Sequence, residues 1–331
     1  MPILDASHDL AHPVESDLAW SESYYFNAYD PPSDSGFFTR IGIRPCEGTA
    51  DVSLSVWIPG DGVGEYRAVR DERGMPDTEL TVGAVTFRMS EPMSRWHISM
   101  AADASVRTSR RSETNPRQVP VELEATFDAL TPAVGTDGRG SGHRSSEAAS
   151  AAASSVGKGH LEQAGRWTGS VTVDGERHEF TDARGNRDKS WGPRRWGGPL
   201  MWRWFSINVG DDLHFGGIRI GTAAGDLHRG WVWDGENATG VTKWDLRTET
   251  EEDGITHKET KVIASDKLGR RHELQADILR VASVRSSSSS QRSTLLNEGL
   301  ARWNYCGRTG YGIVEYLHQL DSSGRPTVAV E

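Results

Sequence analysis

Apolar and polar residues alternate with a period of two in segment after segment of this chain, and helical periodicity is nearly absent, so it is built to form β-strands. In Asp51–Pro59 the residues Val52, Leu54, Val56 and Ile58 share one face, with Ser53, Ser55 and Trp57 on the other. In Val121–Asp128, Val121, Leu123, Ala125 and Phe127 oppose Glu122, Glu124, Thr126 and Asp128, the pattern of a strand with one wet face. Between Trp167 and Phe180 the dipeptide Asp174-Gly175 separates two such runs and predicts a type I′ hairpin. Further strands are expected at Met201–Val209, Leu213–Ile220, His228–Trp233, Thr242–Thr248, His257–Ser265, Arg271–Ala282 and Tyr311–Leu320. The 36 glycines supply the turns that many short strands need. The fold class is therefore all-β, a sandwich or barrel.

Two polar tracts interrupt the pattern. Thr131–His160 is rich in Gly, Ser and Ala and reads as a disordered insertion, with Glu147–Ser154 too short to hold a helix alone. Ser286–Ser290 reads as a long hairpin loop. The spaced glycines Gly138, Gly140 and Gly142 follow no predicted strand and are no dinucleotide fingerprint. What remains divides into two strand-rich halves, an N-terminal domain over 1–195 and a C-terminal one over 196–331.

A net charge of −10 argues against a nucleic-acid partner, and the cluster Arg107, Arg110, Arg111 and Arg117 reads as a solvated loop. No run approaches the ~18 apolar residues of a membrane helix. The first residues, Met1-Pro2-Ile3-Leu4-Asp5, lack the basic and apolar regions of a secretory signal. Cys46 and Cys306 offer neither a disulfide framework nor zinc-ligand spacing. A cytoplasmic protein is the expectation. His8 and His12 have metal-ligand spacing but no third ligand nearby, and no nucleophile elbow or phosphate-binding loop is present.

Chemistry concentrates in Gly185–Trp196. Gly, Asn and Pro mark this segment as a loop, yet it carries Arg187, Asp188, Lys189, Trp191, Arg194, Arg195 and Trp196. Trp202, Trp204, Trp231, Trp233 and Trp244 follow, so seven of the twelve tryptophans fall between Trp191 and Trp244. Trp202 and Trp204 share a strand face, as do Trp231 and Trp233. Such a cluster either forms a core or lines an aromatic ligand pocket. A carboxylic acid in a dry aromatic pocket can protonate an alkene, and Trp faces can stabilise the resulting cation. Arg187 and Lys189 flank Asp188 and would hold its proton off, unless the segment is extended and alternation turns both away. Glu315 and Tyr316 point to opposite faces of the last strand, and Tyr316 is the one taken to face the cavity.

Arg187-Asp188-Lys189-Ser190-Trp191-Gly192 resembles the Arg-Asp-His-Ser-Trp-Gly signature of the AttH-like, carotenoid 1,2-hydratase family. Trp20–Phe26 with Tyr29-Asp30, Glu162–Gly169 and Gly310–Tyr316 are similar to its opening, pre-signature and closing strands, so the resemblance covers most of the chain. It implies two lipocalin-like barrels and a cofactor-free proton transfer to a hydrophobic small-molecule substrate, with Asp188 as acid. Tyr316 is a second catalytic candidate. Arg187, Trp191, Trp202, Trp204 and Trp231 are the substrate-binding candidates. Lys189 stands where the family has His, which removes a neutral-pH proton relay from that position. A hydratase or cyclase, a pericyclase that only folds its substrate, and a non-catalytic lipid or pigment carrier are all compatible with these residues.

Overall fold

The computed structural model describes residues 2–72, 74–75, 77–108, 116–138, 146–153, 155–287 and 293–331. The chain forms two compact units. One comprises Pro2–Gly138 and Lys158–Pro193, the other Arg194–Glu331 with the described part of Arg139–Gly157.

The first unit opens with a short 3-10 turn at Ala6–His8. Its early strands are β1 (Trp20–Asp30), β2 (Ser35–Arg44), β3 (Thr49–Ile58), β4 (Gly62–Asp71), β5 (Glu79–Val82) and β6 (Val85–Glu91). There follow β7 (Arg95–Thr108), β8 (Arg117–Ala129), β9 (Val134–Thr136), β10 (Gly159–Val173) and β11 (Glu176–Pro193). They build one antiparallel sheet in the order β4-β3-β2-β1-β11-β10-β8-β7-β6-β5, with β9 beside β10. Pairing of β4 with β7, from Gly62↔Thr108 to Glu65↔Ser105, closes the path from β4 to β7 on itself and leaves β5–β6 as a flanking hairpin. The interior holds Tyr24, Phe26, Phe37, Leu54, Phe87, Trp96, Phe127 and Trp167 among others.

The second unit is a closed barrel of β12 (Met201–Asn208), β13 (His214–Thr222), β14 (Gly225–Trp233), β15 (Ala238–Thr250), β16 (His257–Asp266), β17 (Arg271–Ser287), β18 (Ser293–Tyr305) and β19 (Arg308–Leu320). Phe205, Phe215, Trp244, Trp303 and Tyr316 fill its interior. Closure leaves no free sheet edge, which is how an all-β chain avoids edge-to-edge association. Among the described residues no helix is long and apolar enough to cross a membrane.

The all-β class and nearly every expected strand appear, with Asp174 and Gly175 both at positive φ in the predicted hairpin turn. Two segments differ from expectation. Gly185–Pro193 is not a loop but the end of β11, in register with β1 from Trp20↔Pro193 to Phe26↔Arg187. The glycine there marks close backbone approach rather than a turn, because a Cβ on Gly185 would lie 1.8 Å from the Asn27 carbonyl oxygen. Within Thr131–His160, Val134–Thr136 pair with β10, and Ala133 and Val134 are buried where Leu4 and Ile3 pair with them. The helix α1 (Glu147–Ala153) packs against β13 and β14, so tertiary contact stabilises a helix too short to persist alone. Residues 139–145 and 154, with Arg110 and Arg111 of the basic cluster, lie outside the described residues. Arg107 pairs with Glu65 and Arg117 with Asp174.

Candidate functional site

In an extended strand the signature residues divide between two faces. Arg187, Lys189 and Trp191 align with the interior residues Phe26 and Tyr24 and with Glu22, so they point into the first barrel. Asn186, Asp188 and Ser190 point outward. The inward cations would be costly without partners. Arg187, fully buried, donates to both carboxylate oxygens of Asp9 at 2.6 and 3.1 Å and to Gln163 Oε1 at 2.7 Å. Its guanidinium also lies over Trp96 and Phe127. Lys189 Nζ is 2.7 Å from Glu22 and donates to the carbonyls of His8 and Leu10 at 2.9 and 2.5 Å. Burial pushes Asp9 and Glu22 up, but the charge and hydrogen bonds of Arg187 on Asp9, and of His12 and Lys189 on Glu22, hold both below their ordinary values. Burial lowers Lys189 against the pull of Glu22.

These contacts tie residues 8–12 across one end of the barrel. His12 Nδ1 is 2.8 Å from Glu22, His8 Nδ1 is 3.2 Å from His12 Nε2, and both rings stack on Trp191, His12 at 3.9 Å. The histidine spacing noted in the sequence is thus a stacking pair. Among the described residues no group of three or more His, Cys, Asp or Glu is placed to hold a metal ion. Arg187 and Trp191 are fixed in this buried assembly and do not share a face with Asp188.

On the outer face Asp188 is cross-strand partner to Tyr25 on one side and Glu162 on the other. His160 Nε2 lies 3.6 Å from Asp188 Oδ2 and 3.8 Å from Glu162 Oε1. Asp188 is 19% exposed and His160 29%. Tyr25 stacks on Phe38, which packs on Trp57, so a row of aromatic rings crosses β1, β2 and β3 on the face that carries the carboxylate. All three rings are buried, and a carboxyl group, an imidazole within reach and an aromatic ring beside them are the parts that proton transfer to an alkene requires.

The remaining candidates belong to the second barrel and fall on two faces. Tyr316 is inside, its hydroxyl 2.5 Å from Thr248 Oγ1 and 2.7 Å from Thr260 Oγ1, with Arg203 4.2 Å above its ring. Trp202 and Trp204 alternate with the interior residues Arg203 and Phe205 and point outward, Trp202 donating to Glu315. Trp231 faces Gly216, which faces Ser206, and so lies on that outer side too. The structure does not bring Tyr316 together with these tryptophans, because one-residue alternation places them on opposite sides of the wall.

Glu162, Tyr25, Phe38 and Trp57, together with Asp9, Glu22 and Gln163, are the residues that sequence reasoning missed; of His160, His178 and His214, histidines the sequence leaves free to approach the signature, it is His160 that lies beside Asp188. One signal was available. Arg187 and Lys189, at alternate positions with Trp191, demand buried counter-ions if their face is interior.

Fold and site define a double β-barrel protein with a carboxyl–imidazole pair on the outside of its first barrel. Residues 5–320 match the family model described as a domain of unknown function, DUF7064, and the chain belongs to that family. No curated protein matches the sequence. The fold is similar to that of a putative AttH from Nitrosomonas europaea, with a TM-score of 0.62 and 12% identity over 92% of this chain and 96% of that one. Kievitone hydratase from Nectria haematococca superposes with a TM-score of 0.61 and 14% identity over 89% and 88%. CghA in complex with Sch210972 gives 0.55 and 8% over 90% and 87%. The resemblance read from the signature therefore holds for the fold.

Proposed function

We propose that this protein is a cytoplasmic, cofactor-independent hydratase or cyclase that protonates a C=C bond of a hydrophobic isoprenoid, polyene or steroid-like substrate. The observation that carries this reading is the alternation along β11. It turns Arg187 and Lys189 inward to Asp9 and Glu22 and leaves Asp188 beside His160 rather than beside its two cationic neighbours. Asp188 delivers its proton to one alkene carbon, and the ring of its cross-strand neighbour Tyr25 stabilises the carbocation formed. Water then adds its oxygen to the cation and returns a proton to the Asp188–His160 pair, or an internal alkene attacks and a neighbouring carbon loses the proton. The shared fold with an enzyme named as a hydratase supports this reading without deciding the substrate.

The test is mass spectrometry of terpenoid, polyene and steroid candidates incubated in ¹⁸O-water, with Asp188→Asn and His160→Gln variants. The expected result is a labelled adduct that Asp188→Asn abolishes and His160→Gln reduces about 10²-fold, the usual scale for losing one acid–base group. An isomer of unchanged mass still formed by Asp188→Asn would replace this reading with a pericyclase. Ligand recovered unaltered across the panel would replace it with a carrier.

A further inference from the structure

His160 and Glu162 are two apart on β10 and share its outer face, because Leu161 and Gln163 point inward, Leu161 to the packed residues around Trp191 and Gln163 to Arg187. Asp188 lies directly opposite Glu162 in the β10–β11 ladder, and Ser190 opposite His160. The imidazole therefore stands diagonally from Asp188. One of its nitrogens, Nε2, faces both carboxylates, 3.6 Å from Asp188 Oδ2 and 3.8 Å from Glu162 Oε1. Exposure divides the three: the side chains of His160 and Asp188 are 29% and 19% exposed, that of Glu162 only 2%. Substrate and water can reach Asp188 and His160. Glu162 sits behind them and acts through them.

The role of Glu162 rests on the alkene-protonating role given to Asp188, and the charges follow from it step by step. At the start Asp188 holds a proton and Glu162 supplies the negative charge of the trio. Asp188 then gives its proton to the new C–H bond, whose electrons are the alkene π pair, and two carboxylates are left directly opposite each other on paired strands. Like charges so placed destabilise a sheet. A proton on His160 Nε2, which faces both, relieves that repulsion. Water forms the C–O bond with an oxygen lone pair, and the proton that this oxygen then loses goes to Nε2. From Nε2 it passes to Asp188, which restores the starting state, and the net change is addition of H and OH across the double bond. Where the cation closes a ring instead, the same nitrogen takes the proton that a neighbouring carbon loses. We propose that Glu162 is a positioning residue for this cycle: its buried carboxylate holds the His160 ring with Nε2 toward Asp188 and stabilises the imidazolium formed as water is deprotonated. The carboxylate of a Ser-His-Asp triad serves its imidazole in the same two ways.

Two fates of one cation test this, followed in the full chain with the same terpenoid, polyene and steroid panel and with Glu162→Gln and Glu162→Asp variants. Mass spectrometry reads the product, an ¹⁸O-labelled alcohol or a cyclised isomer. In D2O it also reads deuterium in the recovered alkene, which reports protonation by Asp188 and its reversal. Glu162→Gln is expected to lower the product at least about tenfold while the deuterium exchange persists, because Asp188 still protonates the alkene. Glu162→Asp should recover part of the product, since it keeps the charge at a shorter reach. A merely structural Glu162 would move both readouts together. The proposal is overturned if Glu162→Gln forms product as the parent does, if product and exchange fall in parallel, or if Glu162→Asp recovers nothing. Should Glu162→Gln fail to fold, Glu162→Asp alone should lower the product severalfold with exchange kept, and parental product from it overturns the proposal. A parent that neither transforms nor exchanges any compound overturns the role of Asp188 and this one with it, whereas parental product from Glu162→Gln overturns the role of Glu162 alone.

Discussion

In the first barrel each interior cation meets a carboxylate brought by another segment, Arg187 by Asp9 and Lys189 by Glu22, whereas Arg203 in the second is surrounded by carbonyls, an aromatic ring and neutral imidazoles. The first arrangement spends its charges on structure. It anchors residues 8–12 across the barrel end and removes two cations from the neighbourhood of Asp188. The second leaves Arg203 Nε and both ring nitrogens of His318 without partners in its interior, a cost that the first avoids.

The largest expected effect separates the two directly. Asp9→Ala strands a buried guanidinium and should cost about 3–5 kcal/mol. Arg203→Met breaks no ion pair and removes a buried charge that Glu331 offsets only from beyond contact, so it should be neutral or stabilising, by up to about 4 kcal/mol. Urea midpoints of the two variants against the parent decide it. Equal destabilisation would mean that Arg203 is held as firmly as Arg187 and would dissolve the contrast.

Acid should distinguish the barrels as well. His257 and His318, at about 3 when folded against 6.5, bind protons less readily in the native state, so their contribution is complete above about pH 6.5 and is lost as pH falls toward 3. Each therefore withdraws about 2 kcal/mol between pH 7 and pH 5. Asp9 and Glu22, depressed in the folded state, contribute fully above the ordinary carboxylate range and lose that only below about pH 4. Pulse proteolysis at graded urea, reading fragments from each unit, should show the second barrel weakening at pH 5 while the first holds. His318→Leu should remove about half of that pH dependence.

How much of this the sequence disclosed follows from the range of the interactions involved. Alternation is local, so the strands and the Asp174-Gly175 turn could be read directly, whereas the opposed faces of Arg187 and Asp188 followed only if their segment, read as a loop, was extended. Register is not local. Nothing near residue 188 announces that Tyr25 and Glu162 will flank it, or that His160 will stand 3.6 Å away. The shared face of Trp202 and Trp204 was legible, but that Tyr316 lies across the wall from them depends on its pairing with Arg203. Gly185 misled because glycine serves two purposes, freedom in turns and closeness between strands, and only the neighbouring strand shows which is at work.

The smallest expected effect compares one turn from each barrel. Val173↔Glu176 and Tyr305↔Arg308 close two-residue hairpins whose central pairs, Asp174-Gly175 and Cys306-Gly307, all have positive φ. Type I′ geometry suits Asn, Asp and Gly, whose short polar side chains or missing Cβ tolerate the left-handed region, while an ordinary side chain there costs roughly 1–2 kcal/mol. Asp174 already meets that demand and Cys306, at φ +50°, does not. Cys306→Asn should therefore stabilise the second barrel by about 0.5–1 kcal/mol, and Asp174→Asn should leave the first unchanged within about 0.5 kcal/mol, since the Arg117 pair it weakens is exposed. Thermal melts at pH 7 resolve such differences. A Cys306→Asn variant no more stable than the parent would show that the Cys306 side chain contributes contacts worth the strain of its backbone.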